Sequence, residues 1–466
     1  MKTILKSRYK HFFFTVIGYF AGNVFTKLIS FILLPLYTKQ IDPAIYGIYG
    51  VNMTIVQLVV GVVYMAIWNA VFRYAAELNT EQKRYEVVSV GLLVMWNSSF
   101  ICVGTLLLIN KFWDLHNPYL VCIYAIANGF QYFYGYVARS MKDNRTFIVS
   151  GCVNSTVNLL LNWIGIVYLR HGIETLYYSY IIGTLMQIMI IEIKYKVLFH
   201  FRKEYVKKKY LVTLIKFGGP LAINSVMQWL LIGLTQVMIA HSLGTYYNGL
   251  FSVAVKFATL ISLIVSIFEY AWLELAYDLA KESNSALNFR RVLNMLFGVL
   301  MFGSAMLMLV IKDVFPWFIA DAYHECLEII PHIVVYASAN AFASFAASIY
   351  MSYKDTNTLV ISSLVAGTMN FIMLELLIPK LGFHGALLSL VVASVIMMLI
   401  RVVLLKRKYM ISLDFTTVLY ALLIPICGVV FYLIDGIVID VLVIFICFIL
   451  FILAVRNMYF KYMRVR

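Results

Sequence analysis

Apolar runs of about 20 residues, each long enough to cross a hydrocarbon core of roughly 30 Å, recur from one end of this chain to the other. Each reads as a membrane-crossing helix. Hydrophobic residues make up 63% of the 466 residues and charged residues 13%, against about 45–50% and 25% in a soluble domain. A large soluble helical protein is set aside on that balance. The first run, from about Phe12, is read as a span rather than a cleavable leader. It carries Lys27, lacks a small-residue cleavage pattern and leads into further spans.

The runs are not independent of one another. Lys142-Asp143-Asn144-Arg145-Thr146 opens one apolar helix, and Lys354-Asp355-Thr356-Asn357-Thr358 opens another 212 positions later. Asn158 and Asn370 follow at the same interval, and His171-Gly172 and His384-Gly385 close the two segments. A second echo lies upstream. Ile41 through Val51 corresponds to Leu243 through Val253, with Gly47 aligned to Gly249. Two copies of one membrane bundle are expected, and repeated membrane halves are the architecture of transporters, with the substrate path between them.

Punctuation by Pro, Gly and charge divides the chain into about fourteen helices. They run roughly 12–38, 46–72, 86–110, 117–138, 147–169, 173–193, 211–240, 246–275, 292–311, 328–351, 359–379, 385–404, 415–434 and 437–455. The expected fold is an all-α polytopic membrane protein. Residues 1–200 and 201–410 form two pseudo-symmetric six-helix lobes, and 411–466 adds two accessory helices. The polar, basic stretch near 194–210 joins the lobes. With the N-terminus inside, inner segments hold about 30 of the 37 Lys and Arg residues, so both termini are expected in the cytoplasm. The net charge of +15 then reflects topology and attraction to anionic lipid heads, not nucleic-acid binding.

Catalytic and cofactor motifs are lacking. The sequence has no Gly-x-x-x-x-Gly-Lys-Ser/Thr phosphate loop, no His-Glu-x-x-His and no Cys-x-x-Cys. The six cysteines have no metal spacing and read as small packing residues. Neither an enzyme nor a bound cofactor or metal is expected.

Polar groups inside the spans are therefore the candidates for function. An ionised side chain near the bilayer centre costs about 2.5–3.5 kcal/mol on insertion scales, so it faces a cavity or a partner. Lys27 and Lys256 are the two deepest cations. Each lines a hydrated cavity for an anionic substrate, pairs with a buried carboxylate or snorkels towards the interface. Arg73 follows Trp68-Asn69 in a span that also holds Gln57 and Asn52, so it either belongs to a cavity-facing polar stripe or is an interfacial charge at the helix end. Arg139 ends its helix on the inner side, either facing the cavity or as an interfacial charge. Gln228 and Gln236 lie close to one face of the seventh span, able to bind a sugar or a neighbouring helix. Glu269 is a deep carboxylate, either a proton or sodium coupling site or a partner of Lys256, Lys27 or Arg73. Asn158 and Asn370 read as helix-to-helix hydrogen-bonding residues. Pro220, after Gly218-Gly219, either hinges or begins the seventh span.

Several of these stretches resemble a known family. Phe31-Ile-Leu-Leu-Pro35-Leu-Tyr37-Thr38, then Ile45-Tyr46-Gly47-Ile48-Tyr49, resembles the opening of the Wzx-type polysaccharide flippases of the MOP exporter superfamily. Arg73-Tyr74, Lys216-Phe217-Gly218-Gly219-Pro220-Leu221 and Gly249-Leu250-Phe251-Ser252-Val253-Ala254-Val255-Lys256 resemble its later motifs. The resemblance implies two six-helix lobes with two accessory helices. It also implies flipping of a polyprenyl-diphosphate-linked oligosaccharide across the bacterial inner membrane, for O-antigen, capsule or exopolysaccharide. Implied partners are the lipid-linked oligosaccharide, membrane lipids, and a polysaccharide polymerase and glycosyltransferases. Two departures matter. Many members carry Asp-Arg where this chain has Thr235-Gln236, and Pro after the Ala-Trp that here reads Ala271-Trp272-Leu273-Glu274. Ionic roles at those positions do not carry over. The rival readings are a MATE-like drug or metabolite antiporter, which asks for an acidic cavity and twelve spans, and a peptidoglycan-precursor flippase.

Overall fold

The computed structural model describes residues 31–279, 284–353, 355–434 and 436–463. In most of 264–279, and beyond 453 except at Arg456, the description is confined to the backbone. No strand forms among the described residues. Among the described residues fourteen α-helices follow one another: α1 (Leu34–Gln40), α2 (Pro43–Val63), α3 (Ile67–Ala76), α4 (Glu81–Phe112), α5 (Pro118–Ser140), α6 (Asn144–Trp163), α7 (Glu174–Tyr195), α8 (Lys208–Ser242), α9 (Thr245–Leu279), α10 (Ser285–Phe318), α11 (Cys326–Ser352), α12 (Thr356–Tyr409), α13 (Phe415–Tyr432) and α14 (Ile437–Met463). Nine helices among the described residues are long and apolar enough to cross a membrane. The protein is an all-α polytopic membrane protein, and every expected span from the second to the fourteenth has a helical counterpart. The first lies mostly outside the described residues.

Three of the expected spans, the second, eleventh and twelfth, depart from single separate helices. The expected eleventh and twelfth run together as α12, which turns at Gly382 with φ 57° and ψ −131°. Only glycine adopts such angles readily. A Cβ on Gly385 would fall on the Leu377 carbonyl, so the two arms of the turn meet backbone to backbone. The expected second span, 46–72, breaks between α2 and α3. Met65 and Ala66 there have φ of 51° and 44°, a left-handed conformation costing on the order of 1–3 kcal/mol for each non-glycine residue. Tertiary contacts hold the break. Ser98 Oγ donates to the Val63 carbonyl at 3.1 Å, and Tyr64 and Ser99 share a hydroxyl–hydroxyl bond of 2.9 Å. Gly129 and Gly218 leave room for the Tyr64 ring and the Met65 carbonyl, respectively.

The chain divides into two compact units, Met1–Trp229 and Leu230–Arg466; α8 passes from one into the other. Within the first unit, Asp143 caps α6. It accepts bonds from Thr146 N at 3.0 Å, Thr146 Oγ1, Lys194 Nζ and Tyr195 OH. Within the second unit, Asp355 caps α12 and accepts from Thr358 N at 3.2 Å, Thr358 Oγ1 at 2.8 Å, Lys408 Nζ at 2.8 Å and Tyr409 OH at 3.2 Å. The sequence echo thus marks one structural station made twice. It joins the start of α6 to the end of α7, and the start of α12 to the far end of the same helix beyond its turn at Gly382. Burial alone would raise both carboxylates. The lysine and threonine hydrogen bonds outweigh it, hold Asp143 far below the ordinary range and keep Asp355 near about 2.

Asp143→Ala and Asp355→Ala should each lower stability by about 0.5–2 kcal/mol, the range for a lost N-cap. A depressed carboxylate stabilises fully above its unfolded value of about 3.9, and its contribution fades as pH falls towards the folded one. Thermal unfolding in detergent should therefore show both variants below wild type at pH 7, with the Asp355→Ala gap closing below about pH 4. Equal gaps at pH 7 and pH 3 would contradict the assignment.

The matched asparagines do not share a role. Asn370 is buried and donates to the Leu230 and Leu231 carbonyls at 3.0 and 3.1 Å and to Thr235 Oγ1 at 3.0 Å, tying α12 to α8. In the first unit the corresponding bond between helices comes one turn later. Asn162 reaches Ser179 Oγ at 2.7 Å, while Asn158 only accepts from Asn162 at 3.0 Å.

Candidate cation and aromatic face

The break at Tyr64–Ala66 sets the direction of α3, a short helix carrying Trp68, Asn69, Phe72 and Arg73. Trp68 stacks on Tyr132 of α5, with ring centroids 5.0 Å apart and planes 20° from parallel. Trp68 is 7% exposed and Tyr132 46%, so the pair presents one ring outward. One turn further on, Phe72 meets Tyr136 edge to face at 5.8 Å. The Arg139 guanidinium lies against Phe72, Tyr136 and Phe147 at 4.7, 4.9 and 5.5 Å. Arg139 is therefore a caged cation rather than a free interfacial charge. Arg73 is exposed and sits 5.2 Å over the ring of Phe217 on α8. No carboxylate pairs with Arg73 among the described residues.

α8 approaches this face closely. The Trp229 indole donates to the Thr54 carbonyl of α2 at 2.9 Å. A Cβ on Gly61 would stand 2.8 Å from Ser225, and one on Gly218 would stand 2.7 Å from the Met65 carbonyl. Gln57 lies between Thr54 and Gly61, and Gln228 beside Trp229, so both amides belong to this crossing and both are exposed. α8 continues through Pro220. That proline has no N–H, which removes the usual helical donor to the Lys216 carbonyl.

Behind the aromatic face runs a neutral polar seam. Asn52 donates to Tyr177 OH at 2.8 Å, and Asn128 to Tyr180 OH at 2.6 Å. Tyr180 donates to Gln131, which bonds Gln187 at 3.1 Å, and Asn154 joins Gln187 at 2.7 Å. Tyr124 stacks on Tyr180 at 4.2 Å. Neutral amides and phenols fill these positions, so the seam binds helices together without burying charge.

The other sequence candidates separate. Gln236 donates to Ser252 Oγ at 2.7 Å, linking α8 to α9 in the second unit. Lys256 is half-buried on α9, without a carboxylate partner among the described residues. Lys27 lies outside the described residues, as does the side chain of Glu269. Asn69 is half-buried on α3 beside the Trp68–Tyr132 pair. Sequence reasoning passed over the Trp68–Tyr132 stack and the Arg139 cage, whose rings look like ordinary span residues. Arg401, a basic residue near the end of α12, is 3% exposed. Its guanidinium donates to Ser362 Oγ, the Ala343 carbonyl and Ser363 Oγ at 3.0, 2.7 and 2.8 Å.

A family model described as polysaccharide biosynthesis protein matches residues 15–273. No curated protein matches the sequence significantly. Among solved structures, the lipid II flippase MurJ in an inward closed conformation aligns with a TM-score of 0.70 at 15% identity, over 97% of this chain and 100% of that one. An inward-facing multidrug resistance MATE family transporter of the MOP superfamily aligns at 0.63 and 13% identity, over 82% and 96%. A MOP superfamily transporter from Pyrococcus furiosus aligns at 0.54 and 14%, over 84% and 94%. At such identities the likeness is one of fold. The family match spans more than half of the sequence. The chain belongs to the polysaccharide biosynthesis protein family and has the fold of the MOP superfamily transporters.

Proposed function

We propose that this protein flips a polyprenyl-diphosphate-linked oligosaccharide repeat unit across the bacterial cytoplasmic membrane, for O-antigen, capsule or exopolysaccharide assembly. The observation that carries the reading is the pairing of an exposed, carboxylate-free Arg73 with the outward Trp68–Tyr132 stack on one helix face. A guanidinium meets diphosphate oxygens with charge-assisted hydrogen bonds, and a flat ring meets the C–H face of a sugar. The exposed amides of Gln57 and Gln228 and the half-buried Asn69 suit sugar hydroxyls, and Lys27, Lys256 and Gln236 extend the same chemistry. The lipid tail stays in the bilayer while the head crosses. Residues 1–200 and 201–410 act as the rocking lobes of alternating access, with 411–466 accessory. Glu269 is the candidate for proton or sodium coupling. A polymerase and glycosyltransferases are the expected partners.

The test is depletion in the host. Lipid-linked repeat units should accumulate undecorated by polymerisation, and surface polysaccharide should fall. Unchanged surface polysaccharide would sink the proposal. The likeness in fold to a lipid II flippase favours a second reading, flipping of a peptidoglycan precursor. Depletion would then cause accumulation of that precursor and lysis.

The orientation follows from the basic asymmetry. A cysteine placed at Ile434, beside the α13–α14 turn, should label from outside intact cells. One placed at Arg466 should label only after permeabilisation. The reverse pattern would invert the topology.

A further inference from the structure

The second unit holds a cavity of about 290 Å³ between α8, α9 and α11. Thr259 and Ser262 line it from α9, and Tyr336, Asn340 and Ser344 from α11. The last three are spaced four apart and the first two three apart, so each helix turns one polar stripe to the same space. The hydrogens of the α9 stripe are already engaged. Thr259 Oγ1 donates to the Lys256 carbonyl at 2.6 Å, and Ser262 Oγ to the Thr259 carbonyl at 2.8 Å. The Thr259 lone pairs remain as acceptors. Asn340 Oδ1 is buried without a hydrogen-bond partner among the described residues, a condition that costs about 1–3 kcal/mol. The Tyr336 and Ser344 hydroxyls likewise make no hydrogen bond among the described residues.

Among the described residues the lining side chains carry neither a carboxylate nor a cation, so they offer an ion of either sign no counter-charge. The volume is also far beyond a bare ion and close to the lower end of ligand cavities, about 300 Å³. A rim of acceptors beside a tyrosine ring suits a neutral ring rich in O–H or N–H donors, with one apolar face. We infer that this pocket of the C-terminal unit receives one sugar ring of the substrate, separately from the cations that meet the diphosphate. The inference rests on the lipid-linked saccharide reading above, and deepens it.

The full chain in lipid nanodiscs would be titrated with three probes: bare polyprenyl diphosphate, the same lipid carrying one N-acetylglucosamine, and the same lipid carrying one galactose. Wild type should bind at least one sugar-bearing probe about tenfold more tightly than the bare lipid, equivalent to roughly 1.4 kcal/mol. Asn340→Leu should abolish that gain while leaving bare-lipid affinity within about twofold. Thr259→Val, nearly isosteric, should reduce the gain by about threefold with an unchanged melting temperature. If wild type binds all three probes equally, or if both variants keep the full gain, the pocket assignment is wrong and the flippase reading stands. If wild type binds none of the three, both fall. If Asn340→Leu loses bare-lipid binding as well, Thr259→Val decides by keeping or losing the gain.

Discussion

Lys312→Met should destabilise the C-terminal unit by about 3–5 kcal/mol, and adding Asp440→Leu should recover most of that loss. Asp440 is 1% exposed and the Lys312 side chain 14%, with 3.5 Å between Nζ and Oδ2. Neither Asp440 oxygen has a hydrogen-bond partner among the described residues. The ammonium group is thus what balances that carboxylate. Lys312 also donates to the Ile434 carbonyl at 2.6 Å and approaches the Phe431 carbonyl at 3.4 Å, where α13 ends with unsatisfied acceptors. Asp440 stands in the first turn of α14, at the positive end of that helix. Removing the lysine leaves a buried charge alone, whereas removing both leaves two apolar side chains in an apolar setting.

The consequence is mechanical. α13 and α14 pack on α10 through Ala305, Leu309, Ile424, Val443 and Cys447, with Gly428 in close contact with Ala305. Lys312 clamps one end of this assembly. At the other end Arg290 pairs with Asp414, Asn294 donates to the Ser412 carbonyl at 3.2 Å, and Asp414 N donates to Asn294 Oδ1 at 2.7 Å. Unfolding of detergent-solubilised protein, followed by tryptophan fluorescence, would measure both variants. A single mutant as stable as wild type, or a double mutant no better than the single, would show that the clamp is not what fixes the accessory helices.

Much of this architecture was legible because membrane helices announce themselves by length and composition. The α12 turn was legible too, since Pro379, Gly382 and Gly385 punctuate the run. The α2–α3 break was not. Tyr64-Met65-Ala66 contains neither proline nor glycine, and its left-handed residues are held by Ser98 and by the gaps at Gly129 and Gly218, which come from other helices. The echo at Asp143 and Asp355 was visible, but its cause was hidden. Each aspartate's lysine and tyrosine partners lie more than fifty residues downstream. At the site, Lys256 and Arg73 stood out as charges in apolar chain. Tyr336, Asn340 and Ser344 did not, because small polar residues at helical spacing look like ordinary packing until a cavity is seen beside them.

Arg73→Gln should reduce flipping by roughly 10- to 150-fold, the loss of about 1.5–3 kcal/mol for a hydrogen bond to a charged group, with a melting temperature close to wild type. The separation of the two effects follows from where Arg73 stands. It is exposed on α3, so its removal disturbs little packing, and surface substitutions away from special features stay within about 0.5 kcal/mol. Its contact with Phe217 at 5.2 Å holds the guanidinium in place without neutralising it. Arg73→Lys should retain part of the activity, since it keeps the charge but loses the flat, forked donor geometry. Arg139→Gln should behave differently. Its guanidinium contacts three rings, so the loss should appear in stability as well as transport. Proteoliposomes containing a fluorescent polyprenyl-diphosphate saccharide would report flipping through a membrane-impermeant quencher. If Arg73→Gln and Lys256→Gln both flip at the wild-type rate, neither cation meets the diphosphate. The charge must then be met elsewhere, with Lys27 as the next position to replace.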